Sequence, residues 1–247
     1  RFAGAYQLTH TAWRPWEAAS AQLVDGVIRH VNELHAGGHN IDFLVHTGDL
    51  TDSLLGIEVD WGMTLFDGGL LDPLTGPDDR DPNDIPPAGL DPYAPFVAAG
   101  LHQSHVHGSA PSIPWYYLFG NHDVYAIGIF PVAEAADGAR RALLPFSGRP
   151  GLLLPTFLDP LATQAYGNVT PANPGPPDLL NVPRPVTVNP ARRYASRAEI
   201  VAALAHTATF PLGHGFADAP AGATWYSTSP VPGIRLIGLD TTNAMNI

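Results

Sequence analysis

Two short polar clusters hold residue types able to do metal and acid–base chemistry. The first is Gly48-Asp49-Leu50-Thr51-Asp52, and the second is Gly120-Asn121-His122-Asp123. Carboxylate and amide oxygens are hard donors suited to Mg, Mn or Fe, and mixed oxygen and imidazole sets suit Mn, Fe or Zn. A histidine beside a carboxylate can stay protonated near neutral pH and hand that proton to a leaving group. The bland alternatives are a strand-to-helix turn with Asp52 as a helix cap, and an ordinary loop histidine at 122.

Two apolar runs must position these clusters. Ile41, Phe43, Leu44 and Val45 read as a buried strand ending at Gly48-Asp49, and Trp115-Tyr116-Tyr117-Leu118-Phe119 reads as a second ending at Gly120. Strands that deliver polar residues at their carboxyl ends place them where open α/β sheets bind ligands. Ahead of the first strand, Leu23, Val24, Val27, Ile28, Val31 and Leu34 follow helical spacing, and Gly37-Gly38 ends that helix. A helix feeding a buried strand is half of a βαβ unit.

The remaining stretches are less regular. Residues 53–112 are too long for a simple connection; a helical piece is expected around Trp61 to Phe66, then an acidic, turn-rich excursion from Gly68 to Pro92. Residues 132–144 read as a short helix and 145–190 as an irregular insertion rich in Pro, Gly and Asn. Ser196 with Glu199 forms a capping box for a helix to Ala205. Thr224–Ser229 and Ile234–Asp240 read as two strands joined by a Pro-Val-Pro-Gly turn.

Composition narrows the class. The 247 residues are 45% hydrophobic, enough for one large core. Net charge is −11, and all twelve basic residues are Arg. Nucleic-acid binding, which needs a basic footprint, is therefore not expected. Nor is attraction to anionic membranes. With no Cys, thiolate metal sites and disulfides are excluded. No apolar run approaches the roughly 20 residues of a membrane span. A soluble protein is expected, with secreted, periplasmic and cytoplasmic placement all compatible. No signal peptide is visible; the start at Arg1 leaves a removed leader or a fragment open.

In their order and at their strand ends, Gly48-Asp49-Leu50-Thr51-Asp52 and Gly120-Asn121-His122-Asp123 closely resemble the second and third motifs of the calcineurin-like metallophosphoesterases. That resemblance implies two divalent metal ions (Mn, Fe, Zn or Mg) and a small phosphorylated substrate. It makes Asp49 the carboxylate bridging both metals and Asn121 a ligand to the second through its amide oxygen. It turns His122 toward the substrate, with Asp123 orienting or charging the imidazole. Paired metals about 3.5–4 Å apart generate a hydroxide and clamp phosphate oxygens during in-line displacement. Purple acid phosphatases carry Tyr where Asp52 stands, and the wording Gly-Asp-Leu-Thr-Asp is more similar to cyclic-nucleotide and glycerophosphodiester phosphodiesterases. Wider stretches, among them Trp13-Arg14-Pro15-Trp16-Glu17, Phe210–Phe216 and Leu239–Asn243, resemble large bacterial members with long inserts.

The chain departs from the family pattern at three motifs: the first, Asp-x-His, and two later ones, an isolated His and then Gly-His-x-His, which should follow the strand at 234–240. The first motif, Asp-x-His, has no match; His10 is the local candidate, and either it substitutes as a ligand or the motif lies upstream of Arg1, the second being favoured. The late Gly-His-x-His motif is imitated by Gly213-His214-Gly215-Phe216, but ahead of the strand it should follow, so His214 reads as a loop turn beside the cleft. His102, His105 and His107 form a His-x-x-His-x-His cluster that precedes the strand bearing Asn121. A strand of that length spans roughly 20 Å at about 3.3 Å per residue, which assigns the cluster to the opposite edge and a surface loop. Arg192-Arg193 and the sequon at Asn168 read as solvated loop features.

The expected architecture is α/β: two mixed β-sheets packed as a sandwich, flanked by helices and incomplete at the carboxyl end. One partial domain is expected over 1–247, with insertions at about 54–112 and 145–195. The expected activity is metal-dependent hydrolysis of a phosphomonoester or phosphodiester. The competing expectations are a degenerate, non-catalytic binding protein and an inactive fragment of an active enzyme.

Overall fold

The structure, a computed structural model, describes residues 19–52, 54–73, 94–103, 112–125, 128, 191 and 194–242, and the backbone of 132–133, 141–142, 164–166 and 183–185. Helix α1 (Ser20–Leu34) continues into a π turn (His35–His39) and stops where Gly38 takes φ +95°. Strand β1 (Leu44–His46) follows, then helix α2 (Gly56–Asp67) and strands β2 (Gly69–Leu71) and β3 (Phe96–Ala98). Strand β4 (Trp115–Tyr117) pairs in parallel with β1, with Leu44 opposite Trp115 and His46 opposite Tyr117. Parallel pairing requires a crossover, and α2 lies within it. Both strands therefore end on the same edge, and both polar clusters emerge there.

The other described strands pair antiparallel: β2 with β3, β5 (Val132–Ala133) with β6 (Arg141–Ala142), β7 (Gln164–Tyr166) with β8 (Pro183–Pro185), and β9 (Tyr226–Thr228) with β10 (Leu236–Gly238). Helix α3 (Arg197–Leu204) starts at the capping box read from sequence. The Ser196 hydroxyl accepts from Glu199 N–H at 2.9 Å, and the Glu199 carboxylate accepts from Ser196 N–H at 2.7 Å.

The core forms around β4. Trp115 and Tyr117 are fully buried. Trp115 stacks between Phe66 at 4.1 Å and His214 at 3.7 Å, while Tyr117 continues through Phe119 and Phe216 to Tyr226 in edge-on contacts. Offset and edge-on aromatic contacts of this kind each contribute about 0.5–1.5 kcal/mol beyond area burial. Helix α2 supplies Val59, Leu65 and Phe66 to the same cluster, and α3 supplies Ile200 and Leu204.

Three expectations are corrected. The apolar stripe of α1 does not all face inward: Leu23 and Val27 are exposed, while Asp25 and Ile28 are buried. Asp25 is drawn in because its carboxylate accepts from Ala99 N–H at 2.7 Å and from the Arg29 guanidinium at 2.7 Å, which turns the helix about its axis. Residues 132–133 and 141–142 form a β-ladder where a helix was expected, since an isolated helix of about a dozen residues is marginal in water. The insertion read as irregular contains the β7–β8 pair.

Candidate active site

The site is built where β1 and β4 end. The turn after β1 is left-handed, with φ +102° at Gly48 and +57° at Asp49. It presses against the chain leaving β4 so tightly that a Cβ on Gly48 would lie 2.2 Å from Gly120 N, and one on Gly120 would lie 2.1 Å from Asp49 Oδ1. Glycine in both clusters is thus required by contact between two backbones. Asp49 itself is exposed at the edge, and its Oδ1 accepts from His122 N–H at 3.0 Å.

Asp123 occupies the interior of this junction with no solvent exposure. Its Oδ2 accepts from Asp49 N–H at 2.7 Å and Gly120 N–H at 2.9 Å. Its Oδ1 accepts from Thr51 N–H at 3.0 Å and the Thr51 hydroxyl at 3.3 Å. The same hydroxyl lies 2.9 Å from His122 O. Burial pushes the Asp123 carboxyl above its ordinary value, while the N–H groups of Gly120, Thr51 and Asp49 pull it back. Burial, and then the Asp123 charge, push the Tyr117 phenol well above its usual range.

The imidazole of His122 faces a different carboxylate from the one expected. Its Nδ1 lies 2.7 Å from the Asp52 carbonyl oxygen and 3.3 Å from Asp52 Oδ1. The hydrogen bond to the Asp52 side chain raises the histidine to about 9, against the opposing effect of burial. The expectation that Asp123 orients or charges His122 is therefore corrected. The one-residue step from His122 to Asp123 sends the two side chains in different directions, and Asp123 is consumed by the backbone of the first cluster. Asp52 is likewise not a helix cap, because α2 begins at Gly56 with Leu55 at the cap and Leu55 N–H bonded to Glu58 Oε2 at 2.9 Å.

Asn121 is exposed, and its Nδ2 donates to Gly128 O at 3.0 Å. That bond commits the amide nitrogen and leaves the amide oxygen as the donor atom for a ligand. Gly128, at φ +73°, is a cradle: a Cβ there would come 2.4 Å from Asn121 Nδ2 and 2.5 Å from His122 Nε2.

A third chain segment reaches the same place from β10. Asp240 Oδ1 accepts from Thr242 N–H at 2.9 Å and from the Thr242 hydroxyl, and its Oδ2 pairs with Arg197 Nε at 3.1 Å. Thr242 O accepts from Arg197 at 3.1 Å and from the Tyr125 hydroxyl at 3.4 Å, tying this end to the turn at Asn121–Tyr125.

The hard oxygens of Asp49 and Asn121 fit the chemistry of a divalent cation. Among the described residues, no three His, Asp or Glu gather as a metal cluster. His214 does not join them and does not line the cleft. It is fully buried, stacked on Trp115, with Nδ1 at 3.0 Å from Trp115 O and Nε2 bonded to the Thr207 hydroxyl. Burial lowers it to about 4, so it is a neutral core residue. His10, His105, His107, Asn168, Arg192 and Arg193 lie outside the described residues. His102 is buried, and its carbonyl accepts from Ile113 N–H just ahead of β4, at the edge away from Asn121.

Sequence reasoning missed Gly128 and His46 as parts of this junction and assigned Thr51 no role within its cluster. Thr51 and Gly128 carry no chemistry of their own in a sequence, and His46 is hidden inside a strand. The calcineurin-like phosphoesterase family model matches residues 18–173. No curated protein and no solved structure matches the chain.

Proposed function

The chain belongs to the calcineurin-like phosphoesterase family, whose members are in general metal-dependent phosphoester hydrolases using divalent cations, and from that premise we propose how its own residues serve the reaction. The reaction is addition of water across a P–O bond of a phosphomonoester or phosphodiester. Asp49 and the Asn121 amide oxygen would hold the divalent cations of a dinuclear site. When bound, the cations supply Lewis acidity and a nucleophilic water at neutral pH.

His122 provides the proton that the leaving oxygen needs. With Nδ1 held by Asp52, the proton on Nε2 is the transferable one. Asp52 keeps the ring charged and oriented, and Asp123 keeps the two chain segments in register. In this reading the chain forms a sandwich of two mixed sheets with the site at the strand ends. The carrying observation is the His122–Asp52 contact, which raises the imidazole to about 9 beside two oxygen donors.

The test is turnover of an aryl phosphomonoester and a bis-aryl phosphodiester with Mn. His122→Ala and Asp49→Asn are expected to lose about a hundredfold or more in kcat. Unchanged activity in both variants would sink the assignment. A second reading, a non-catalytic phosphate-ester binding protein, is favoured by His214, the candidate of the late motif, being packed on Trp115 in the core. It predicts ligand binding without turnover at any Mn concentration.

A further inference from the structure

We propose that His46 is a positioning residue for Asp49, its Nδ1 acting as a fixed acceptor that pins the Gly48–Asp49 turn. The inference rests on Asp49 being a working carboxylate of a hydrolytic site. The turn needs such a pin. Asp49 sits in the left-handed region, which a residue with a Cβ keeps only where its surroundings hold it there.

Side chains capture the backbone donors of this turn one after another. Asp123 takes the N–H groups of Asp49 and Thr51. The remaining donor on the strand side, Gly48 N–H, points to His46 Nδ1 at 3.4 Å. An accepting Nδ1 places the ring proton on Nε2, which specifies one neutral tautomer.

The ring has little room to turn away. His46 is the last residue of β1 and faces Tyr117 across the ladder. Its ring stacks on that phenol at 5.6 Å with an 18° tilt and meets the Phe66 ring edge-on at 5.6 Å. Both neighbours are buried, so the stack sets the direction of Nδ1. Burial lowers the imidazole, against the charges of Asp123 and Asp49, which keeps the acceptor available. Displacing the pin moves Asp49 Oδ1 and with it the His122 N–H that it accepts.

Two variants separate the acceptor from the ring. His46→Phe keeps the stack and loses the acceptor. His46→Asn loses the stack but offers an oxygen at the Nδ1 position. In the full chain, ¹⁵N spectra of the wild type are expected to show His46 with a pyridine-like Nδ1 and the proton on Nε2. His46→Phe is expected to shift the Gly48 and Asp49 amide resonances and to lower kcat about tenfold with KM little changed, and His46→Asn to restore most of both.

A proton on Nδ1 in the wild type, or a His46→Phe protein with wild-type kcat and unmoved Gly48 resonance, overturns the proposal. Should His46→Phe fail to fold, the wild-type tautomer and the His46→Asn amide shifts decide it. A wild type that hydrolyses nothing overturns the hydrolytic reading alone, and the tautomer and amide resonances then decide the His46 contact by themselves.

Discussion

Adjacent residues in one motif, His122 and Asp123, have separate tasks because one side chain reaches the rim and the other the interior. His122 is expected to titrate near 9 in metal-free protein, as read by its ring proton resonances. Asp52→Asn removes the largest cause of that rise and is expected to bring the value back toward 6.5. The sign for stability follows from the same shift. Because the folded protein binds this proton more tightly than the unfolded chain, the contribution is full below 6.5 and is lost as pH rises through about 9. An Asp52→Asn protein whose His122 still titrates near 9 would remove Asp52 from its assigned place. Asp123→Ala tests the interior partner. It leaves the N–H groups of Asp49, Thr51 and Gly120 without their acceptor. At about 1–3 kcal/mol for each buried donor left unmade, a loss of at least about 3 kcal/mol is expected in urea unfolding. A loss below about 1 kcal/mol would show that water replaces the carboxylate.

Elements bring these residues together through one geometric device, the parallel β1–β4 pair. Its register puts Gly48 and Gly120 in backbone contact just beyond the ladder. Gly120→Ala would set a methyl group 2.1 Å from Asp49 Oδ1. The same methyl would lie 2.4 Å from Asp49 N, so the Gly48–Asp49 turn must shift and carry its carboxylate with it. Loss of Mn binding, read by calorimetry, should therefore accompany a fall in melting temperature. Wild-type Mn affinity in Gly120→Ala would show that the two turns are not held against each other. The helix α3 end serves a parallel purpose, since Arg197 clamps Asp240 and Thr242 at the end of β10 and Tyr125 reaches the same carbonyl.

At the scale of the whole molecule, the core contains a pH-sensitive weak point away from the site. His214 is neutral in the fold at about 4 and reverts to 6.5 on unfolding, so the unfolded chain takes up the proton first. Its contribution is fully present above 6.5 and is lost as pH falls through about 4, amounting to about 3 kcal/mol in total. His46, also lowered by burial, acts in the same direction. Urea unfolding measured at steps across this window should show the midpoint falling with pH, and a His214→Gln protein should show a shallower decline. An identical pH slope in the variant would exclude His214 as the source.

Much of this was readable in the chain. Alternation of an apolar run with Gly-Asp or Gly-Asn-His-Asp marked both strand ends, because a buried strand must be apolar throughout and must stop where the chain turns polar. The Ser196–Glu199 capping box and the β9–β10 hairpin were equally plain, because both are local in sequence. Partner choice was not. Which of Asp52 and Asp123 faces His122 depends on contacts between segments about seventy positions apart, which no spacing rule ranks. The same holds for His214, whose Gly-His-Gly-Phe setting imitates a ligand motif until Trp115 is found stacked on it. Residue types and strand ends thus determined that hard oxygen donors and a histidine meet at one edge. Only the tertiary structure decided which carboxylate charges the histidine and which one fastens the loops, because burial and the direction of each side chain are set by the packing of chain segments far apart in sequence.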